Sequence, residues 1–186
     1  MTSFHTPKLH GYSVKFSPFT PTRFACVACE QYGIAGNAVL LVFDFHPDLS
    51  GPPVVVQTCN WVDGLFDLAW SEIDPDICVT AGGDGAIQIW NVLNKDPLAV
   101  LKSHEKEVYS VDWSHKGEKN LVVSVSWDGS AKIWDVGSGR NEPISAVHGH
   151  QGVVYSGVWS PHVPGSFATA SADGTSKIWD VRTPAS

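Results

Sequence analysis

The stretch Trp127-Asp128-Gly129-Ser130-Ala131-Lys132-Ile133-Trp134-Asp135 decides how the rest of the chain is read. Asp-Gly is the pair that best tolerates the positive φ angles of a tight hairpin turn. The run that follows it is short and ends in a β-branched and an aromatic residue, as a strand does. A second run, rich in valine, precedes the turn, so two antiparallel strands meet at Asp128-Gly129.

The pattern recurs on both sides. Gly83-Asp84-Gly85-Ala86-Ile87-Gln88-Ile89-Trp90 and Ala172-Asp173-Gly174-Thr175-Ser176-Lys177-Ile178-Trp179 repeat it, each with the tryptophan six residues after the aspartate. Upstream of each hairpin stands another tryptophan, in Phe66-Asp67-Leu68-Ala69-Trp70-Ser71, Tyr109-Ser110-Val111-Asp112-Trp113-Ser114 and Tyr155-Ser156-Gly157-Val158-Trp159-Ser160. Trp70, Trp113 and Trp159 are 43 and 46 residues apart, and Trp90, Trp134 and Trp179 are 44 and 45 apart. An earlier copy starts at Tyr12-Ser13-Val14-Lys15-Phe16-Ser17 and ends at Phe43-Asp44; its longer span requires a longer hairpin around residues 31–37.

A period near 44 with about four strands is the spacing of a β-propeller blade. A helical repeat is disfavoured because no 3.6-residue periodicity appears. The expected fold is therefore all-β: four blades, with units at about 10–45, 60–91, 104–136 and 149–182 and a linker at 46–58.

Composition narrows the function. The 186 residues are 43% hydrophobic and 17% charged, enough for a real core. The longest wholly apolar run, Ala38 to Phe43, is far below the roughly 18–20 residues that span a bilayer, so no integral membrane segment is expected. The N-terminus has no charged-then-apolar export pattern. Twelve basic against nineteen acidic residues, a formal charge of −7 and no basic stripe disfavour nucleic acid as a partner. The acidic balance leaves room for a basic partner, or for nothing beyond solubility. Cys26, Cys29, Cys59 and Cys78 form no dense disulfide framework, and a reducing compartment fits them. The Cys26/Cys29 pair has no second pair to complete a zinc site, and three residues apart on a strand the two would face opposite ways. No metal and no cofactor is expected.

Through Ile133-Trp134-Asp135, Ile178-Trp179-Asp180 and the Gly149-His150 unit start, the chain resembles the WD-repeat family over nearly its whole length. His104, Ser124 and Asp128 are the residue types of a hydrolase triad, and His150, Thr169 and Asp173 repeat the set. The resemblance implies buried structural chains instead, His104–Ser124–Asp128–Trp134 and His150–Thr169–Asp173–Trp179, with no catalytic residue and no enzyme activity. Thr80, Asp84 and Trp90 match in the second unit, but Trp61 takes the histidine position and Asp84 must bond elsewhere.

Within that family, Asn60 to Asp67, Glu107 to Ser114, Trp159 to Gly165, His10-Gly11-Tyr12 and Tyr32 to Gly36 resemble the receptors for the type-2 peroxisomal targeting signal. This resemblance implies a cytosolic receptor for cargo proteins carrying an N-terminal amphipathic helix. The receptor would work with an import co-receptor and docking proteins, and would cycle between cytoplasm and peroxisome. The cargo-binding residues it implies are Asp63, Glu107, Phe66, Tyr109, Tyr155 and Trp127, carboxylates for basic side chains and aromatics for an apolar stripe. Trp61 and Trp127 stay open between binding surface and packing between blades. Strand alternation would put Tyr109 on the side of Val111 and Trp113, so its exposure requires a bulge. Two other readings remain. Trp179-Asp180-Val181-Arg182 resembles the Trp-Asp-x-Arg pattern of substrate adaptors of cullin ubiquitin ligases, and a generic interaction scaffold fits any propeller. The receptor family's ring has six or seven units, so four imply an incomplete ring, from a fragment, a truncated gene model or a splice form. An unpaired strand edge and an exposed apolar blade face are then expected.

Overall fold

A computed structural model describes residues 3–115 and 120–182. Among these, fifteen strands form four antiparallel sheets. The first contains β1 (His10–Phe16), β2 (Arg23–Cys29), β3 (Ala38–Asp44) and β4 (Val54–Trp61). The second contains β5 (Leu65–Trp70), β6 (Ile77–Gly82), β7 (Ala86–Asn91) and β8 (Ala99–Lys102). The third contains β9 (Val108–Trp113), β10 (Leu121–Ser126), β11 (Ser130–Asp135) and β12 (Ser145–His148). The fourth contains β13 (Val154–Trp159), β14 (Ser166–Ser171) and β15 (Ser176–Asp180).

Within each sheet the strands lie in chain order. The first strands of successive sheets are neighbours, β1 beside β5, β5 beside β9 and β9 beside β13. The sheets therefore fan out as propeller blades from an inner line of four strands. The Asp-Gly turns form as their chemistry requires. Gly85, Gly129 and Gly174 have φ of +82, +86 and +79°, and each aspartate Oδ1 accepts the N–H two residues on, at 2.9–3.1 Å.

The fourth strands differ from the sequence reading. β4 takes up the last part of the 46–58 stretch read as linker, from Val54 on, and β8 and β12 lie outside the predicted units. β8 and β12 are four residues long, too short to show a period, and β4 opens behind Pro52-Pro53, which marks a loop in sequence.

Three apolar layers hold the blades together. Val27, Leu40 and Val42 of the first blade meet Leu68, Trp70 and Trp90 of the second. Val79, Ile87 and Ile89 then meet Val111, Trp113 and Trp134, and Val123, Val125 and Ile133 meet Trp159 and Phe167. Polar ties at the inner strands fix how far each blade advances. The Asp67 carboxylate accepts Ser13 Oγ at 2.8 Å from the first blade, and Ser110 Oγ at 2.9 Å and the Val111 N–H at 3.1 Å from the third. Trp70 Nε1 donates to the Lys15 carbonyl at 3.1 Å, and Asp112 Oδ2 accepts the Trp159 N–H at 2.7 Å. The outermost blades each keep an apolar face in solvent: Val14 and Phe16 in the first, Val158 and Ile178 in the fourth.

Candidate functional site

Each inner strand contains one β-bulge, and each bulge carries an aromatic residue. In the third blade Ser126 pairs with Val108 and Val125 with Ser110, which leaves Tyr109 as the extra residue. The same skip isolates Tyr12 between Gly11 and Ser13, Phe66 between Leu65 and Asp67, and Tyr155 between Val154 and Ser156. A bulge breaks the period-two alternation and re-aims the side chain it inserts. Tyr109 is therefore free of the face that buries Val111 and Trp113.

The four re-aimed rings form a line across four blades. Tyr12 meets Phe66 edge to face, with centroids 5.2 Å apart. Phe66 stacks on Tyr109 at 5.2 Å, and Tyr109 meets Tyr155 at 5.7 Å. Trp127, from the β10–β11 turn, stacks on Tyr109 at 5.8 Å and stands perpendicular to Tyr155 at 6.4 Å. The Trp127 backbone N–H donates to the Glu107 carbonyl at 3.1 Å, which sets the Trp127 turn beside the Glu107 loop.

All of these rings except Tyr155 line an open cleft of about 310 Å³ on the face that carries the β2–β3 and β10–β11 turns. Phe66, Glu107, Tyr109 and Trp127 form one part of its lining. Tyr12 and the Tyr32-Gly33-Ile34 loop form the rest. Neither of these two stretches carries an expected binding role from the sequence, where the signal is the long β2–β3 connection. Trp127 is 37% and Tyr155 46% exposed, so the aromatic line is a surface as well as packing.

Asp63 does not line this cleft. It stands one residue earlier in its loop than Glu107 does, at the register of Lys106. Its Oδ1 accepts the following Gly64 N–H at 2.7 Å, and a side chain at Gly83 would collide with it at 2.9 Å. Trp61 packs between blades, edge to face with Trp90 at 5.9 Å, and its Nε1 is buried with no hydrogen-bond partner among the described residues.

The triad-like residues form closed chains. His104 Nδ1 lies 2.8 Å from Asp128 Oδ2 and its Nε2 2.7 Å from Ser124 Oγ, which also accepts Trp134 Nε1 at 2.8 Å. His150, Asp173, Thr169 and Trp179 repeat this at 2.9, 2.7 and 2.8 Å. Burial pushes His104 below the usual histidine value, against the pull of Asp128. Burial would raise the Asp128 carboxyl, but hydrogen bonds from His104 and Ser130 hold it far below the usual carboxylate range. The pair is thus a neutral imidazole donating to a carboxylate, with Ser124 donating to Nε2. Ser124 is fully buried and spends its oxygen on His104 and Trp134, so no substrate reaches it while the sheet is intact.

In the second blade Thr80 accepts Trp90 Nε1 at 2.9 Å and donates to Gln88 Oε1 at 2.6 Å, so Gln88 stands in for the missing histidine. Asp84 keeps the bond from the N–H two residues on, here that of Ala86, which all three turn aspartates make, while Trp61 stands where the other blades place a histidine. Arg182 of the Trp-Asp-x-Arg stretch folds back on Asp180 through Nε and Nη2, at 2.8 and 2.7 Å. Among the described residues no cluster of His, Cys, Asp and Glu could hold a metal ion, the cysteines are free thiols, and no helix is long and apolar enough to cross a membrane.

Radial blades of three or four strands, Asp-Gly hairpins and His–Ser/Thr–Trp chains are those of a WD-repeat β-propeller, and the chain carries WD repeats. The family model "WD domain, G-beta repeat" matches residues 95–135 and 141–180. The chain is similar to the peroxisomal targeting signal 2 receptor of Homo sapiens, 46% identical over 166 residues that cover 89% of this chain and 50% of that protein. It is 30% identical to the protein of the same name from Saccharomyces cerevisiae, over 99% of this chain and 55% of that one. Peroxisome biogenesis protein 7 of Arabidopsis thaliana is 35% identical over 72% of this chain and 42% of its own. The chain spans about half the length of the curated relatives it matches.

Proposed function

We propose that this chain binds the N-terminal amphipathic helix of proteins destined for the peroxisome, the type-2 targeting signal, and acts as a receptor rather than an enzyme. The observation that carries this reading is the continuous aromatic line with Glu107 at its cleft. A helix with an apolar stripe and basic residues needs both elements on one surface.

The relative size of the two contributions sets their roles. An exposed ion pair contributes about 0–1 kcal/mol, while a partly desolvated charged hydrogen bond reaches roughly 1.5–3 kcal/mol. Phe66, Tyr109 and Trp127 therefore supply most of the affinity, and Glu107 selects for a cation. Tyr155 extends the apolar surface into the fourth blade, and Asp63, beside Phe66 and Gly83, supplies a flanking negative charge. On this reading the receptor works from the cytoplasm, hands cargo to an import co-receptor and docking proteins, and cycles to the peroxisome; the names of the similar proteins support the receptor role and the link to the peroxisome.

The test is a fluorescence anisotropy titration of the purified chain with a labelled amphipathic peptide carrying arginine and leucines. Saturable binding that is lost when the arginine becomes glutamate is expected. Binding no tighter than that of a scrambled peptide of equal composition overturns the reading.

A further inference from the structure

The β2–β3 connection has an unusual backbone. Gln31, Tyr32 and Gly33 have φ of +44, +57 and +69°, three left-handed residues in succession, two of them not glycine. A chain does not hold that conformation unaided, so the surroundings must fix it. They do so at four points. The Tyr12 hydroxyl donates to the Tyr32 carbonyl. The His10 imidazole stacks on the Tyr32 ring, with centroids 3.8 Å apart and planes 16° from parallel. Gly33 lies so close to Phe66 that a Cβ there would fall 2.5 Å from its ring carbon Cε1. The loop is closed at its base, where Glu30 Oε2 accepts the Asn37 N–H at 2.9 Å.

The pinned loop presents Ile34, 87% exposed, along the cleft. A backbone already fixed beside a binding cleft lowers the ordering cost when a ligand covers the apolar side chain it carries. The opposite end of the cleft carries its one acidic side chain among the described residues, Glu107 of the third blade. The line Tyr12, Phe66, Tyr109 puts the second blade between the two.

We propose that loop 30–37 is a preorganised wall that makes the cleft directional: a docked helix lies with a basic residue at Glu107 and an apolar residue against Ile34. Tyr12 is then a positioning residue, acting through the Tyr32 carbonyl. This rests on the helix-binding reading above and adds to it the orientation and the residues that set it.

The test is a double-mutant cycle by anisotropy, with a fluorescein-labelled amphipathic peptide and versions in which each leucine in turn becomes alanine. Ile34→Ala, an exposed change that leaves the fold intact, weakens the parent peptide by about tenfold, the worth of two to three buried methylenes discounted for partial burial. That loss vanishes for the one peptide lacking the matched leucine. Tyr12→Phe weakens binding in the same sense and adds little once Ile34 is alanine. The arginine whose removal is coupled to Glu107→Gln lies at the other end of the peptide from that leucine. If Ile34→Ala and Tyr12→Phe bind every peptide as the unmodified protein does while Glu107→Gln still weakens binding, the wall is overturned and the helix-binding reading survives. Coupling of leucine and arginine from the same end overturns the orientation. If the unmodified protein binds none of the peptides, both readings fall together.

Discussion

The Phe66 and Tyr109 rings lie 5.2 Å apart and only 20° from parallel, although they belong to different sheets. They meet because each is the extra residue of a bulge at the same register of its inner strand. Without the bulges both would turn back into their blades, and the upper face would lose its apolar line.

Glu107 stands beside this line, so reversing its charge should oppose a cationic helix without touching the core. Glu107→Lys should weaken an arginine-bearing peptide by at least about thirtyfold, roughly 2 kcal/mol. The melting temperature should stay within a degree or two, because the side chain anchors no interblade layer. Anisotropy and circular dichroism on the same preparation check both halves.

Ser124 should behave in the opposite way. Ser124→Ala leaves His104 Nε2 and Trp134 Nε1 without their shared partner inside the sheet. The expected cost is about 1–3 kcal/mol, at about 2–4 °C of melting temperature per kcal/mol for a chain of this size. Peptide affinity at a temperature where the variant is folded should not change. Scanning calorimetry beside the anisotropy titration separates the two effects.

How much of this was legible in the sequence depends on how local the chemistry is. Asp128-Gly129 and Trp134 keep fixed spacings because one hairpin sets both, so the blades could be counted from the repeat. The polar chains were legible only through family resemblance, since nothing in the spacing says that His104 reaches Ser124. The Tyr109 bulge was legible only through the resemblance: alternation assigns Tyr109 to the buried side, and only the paired strand shows the inserted residue. Asp63 was misplaced relative to the cleft because one residue of loop register separates it from the Glu107 position. The Ile34 wall could not be read at all, because left-handed backbone at Gln31 and Tyr32 follows from contacts with His10, Tyr12 and Phe66 and not from their own preferences.

Acid should destabilise the chain in two steps. Folding lowers the His104 value, so protons bind the unfolded imidazole more readily, and its contribution is complete above about pH 6.5 and declines as pH falls through that value. Asp128 is also lowered, so its contribution is lost only below about pH 4, where the unfolded carboxylate begins to protonate. Urea midpoints should fall between pH 7 and pH 5 and fall again toward pH 3. A His104→Asn variant should be less stable at pH 7 and show a flatter dependence in the upper window. A midpoint that rises on acidification from pH 7 to pH 5 would contradict the neutral imidazole.

The cysteines should be inert while the blades are packed. Burial pushes the Cys59 thiol up to about 11 and the fully buried Cys78 higher still, and it raises Cys26 and Cys29 as well. Thiolate is the reactive form, so both its population and its access are suppressed. Iodoacetamide at pH 7.5 should label the native chain slowly, with Cys26 first because it alone of the four is not fully enclosed. All four should react within minutes in denaturant. Labelling followed by peptide mass spectrometry gives the order. Fast modification of Cys29 in the native protein would mean that the first and second blades separate, because its sulfur sits between them against the Leu65 backbone at 3.0 Å.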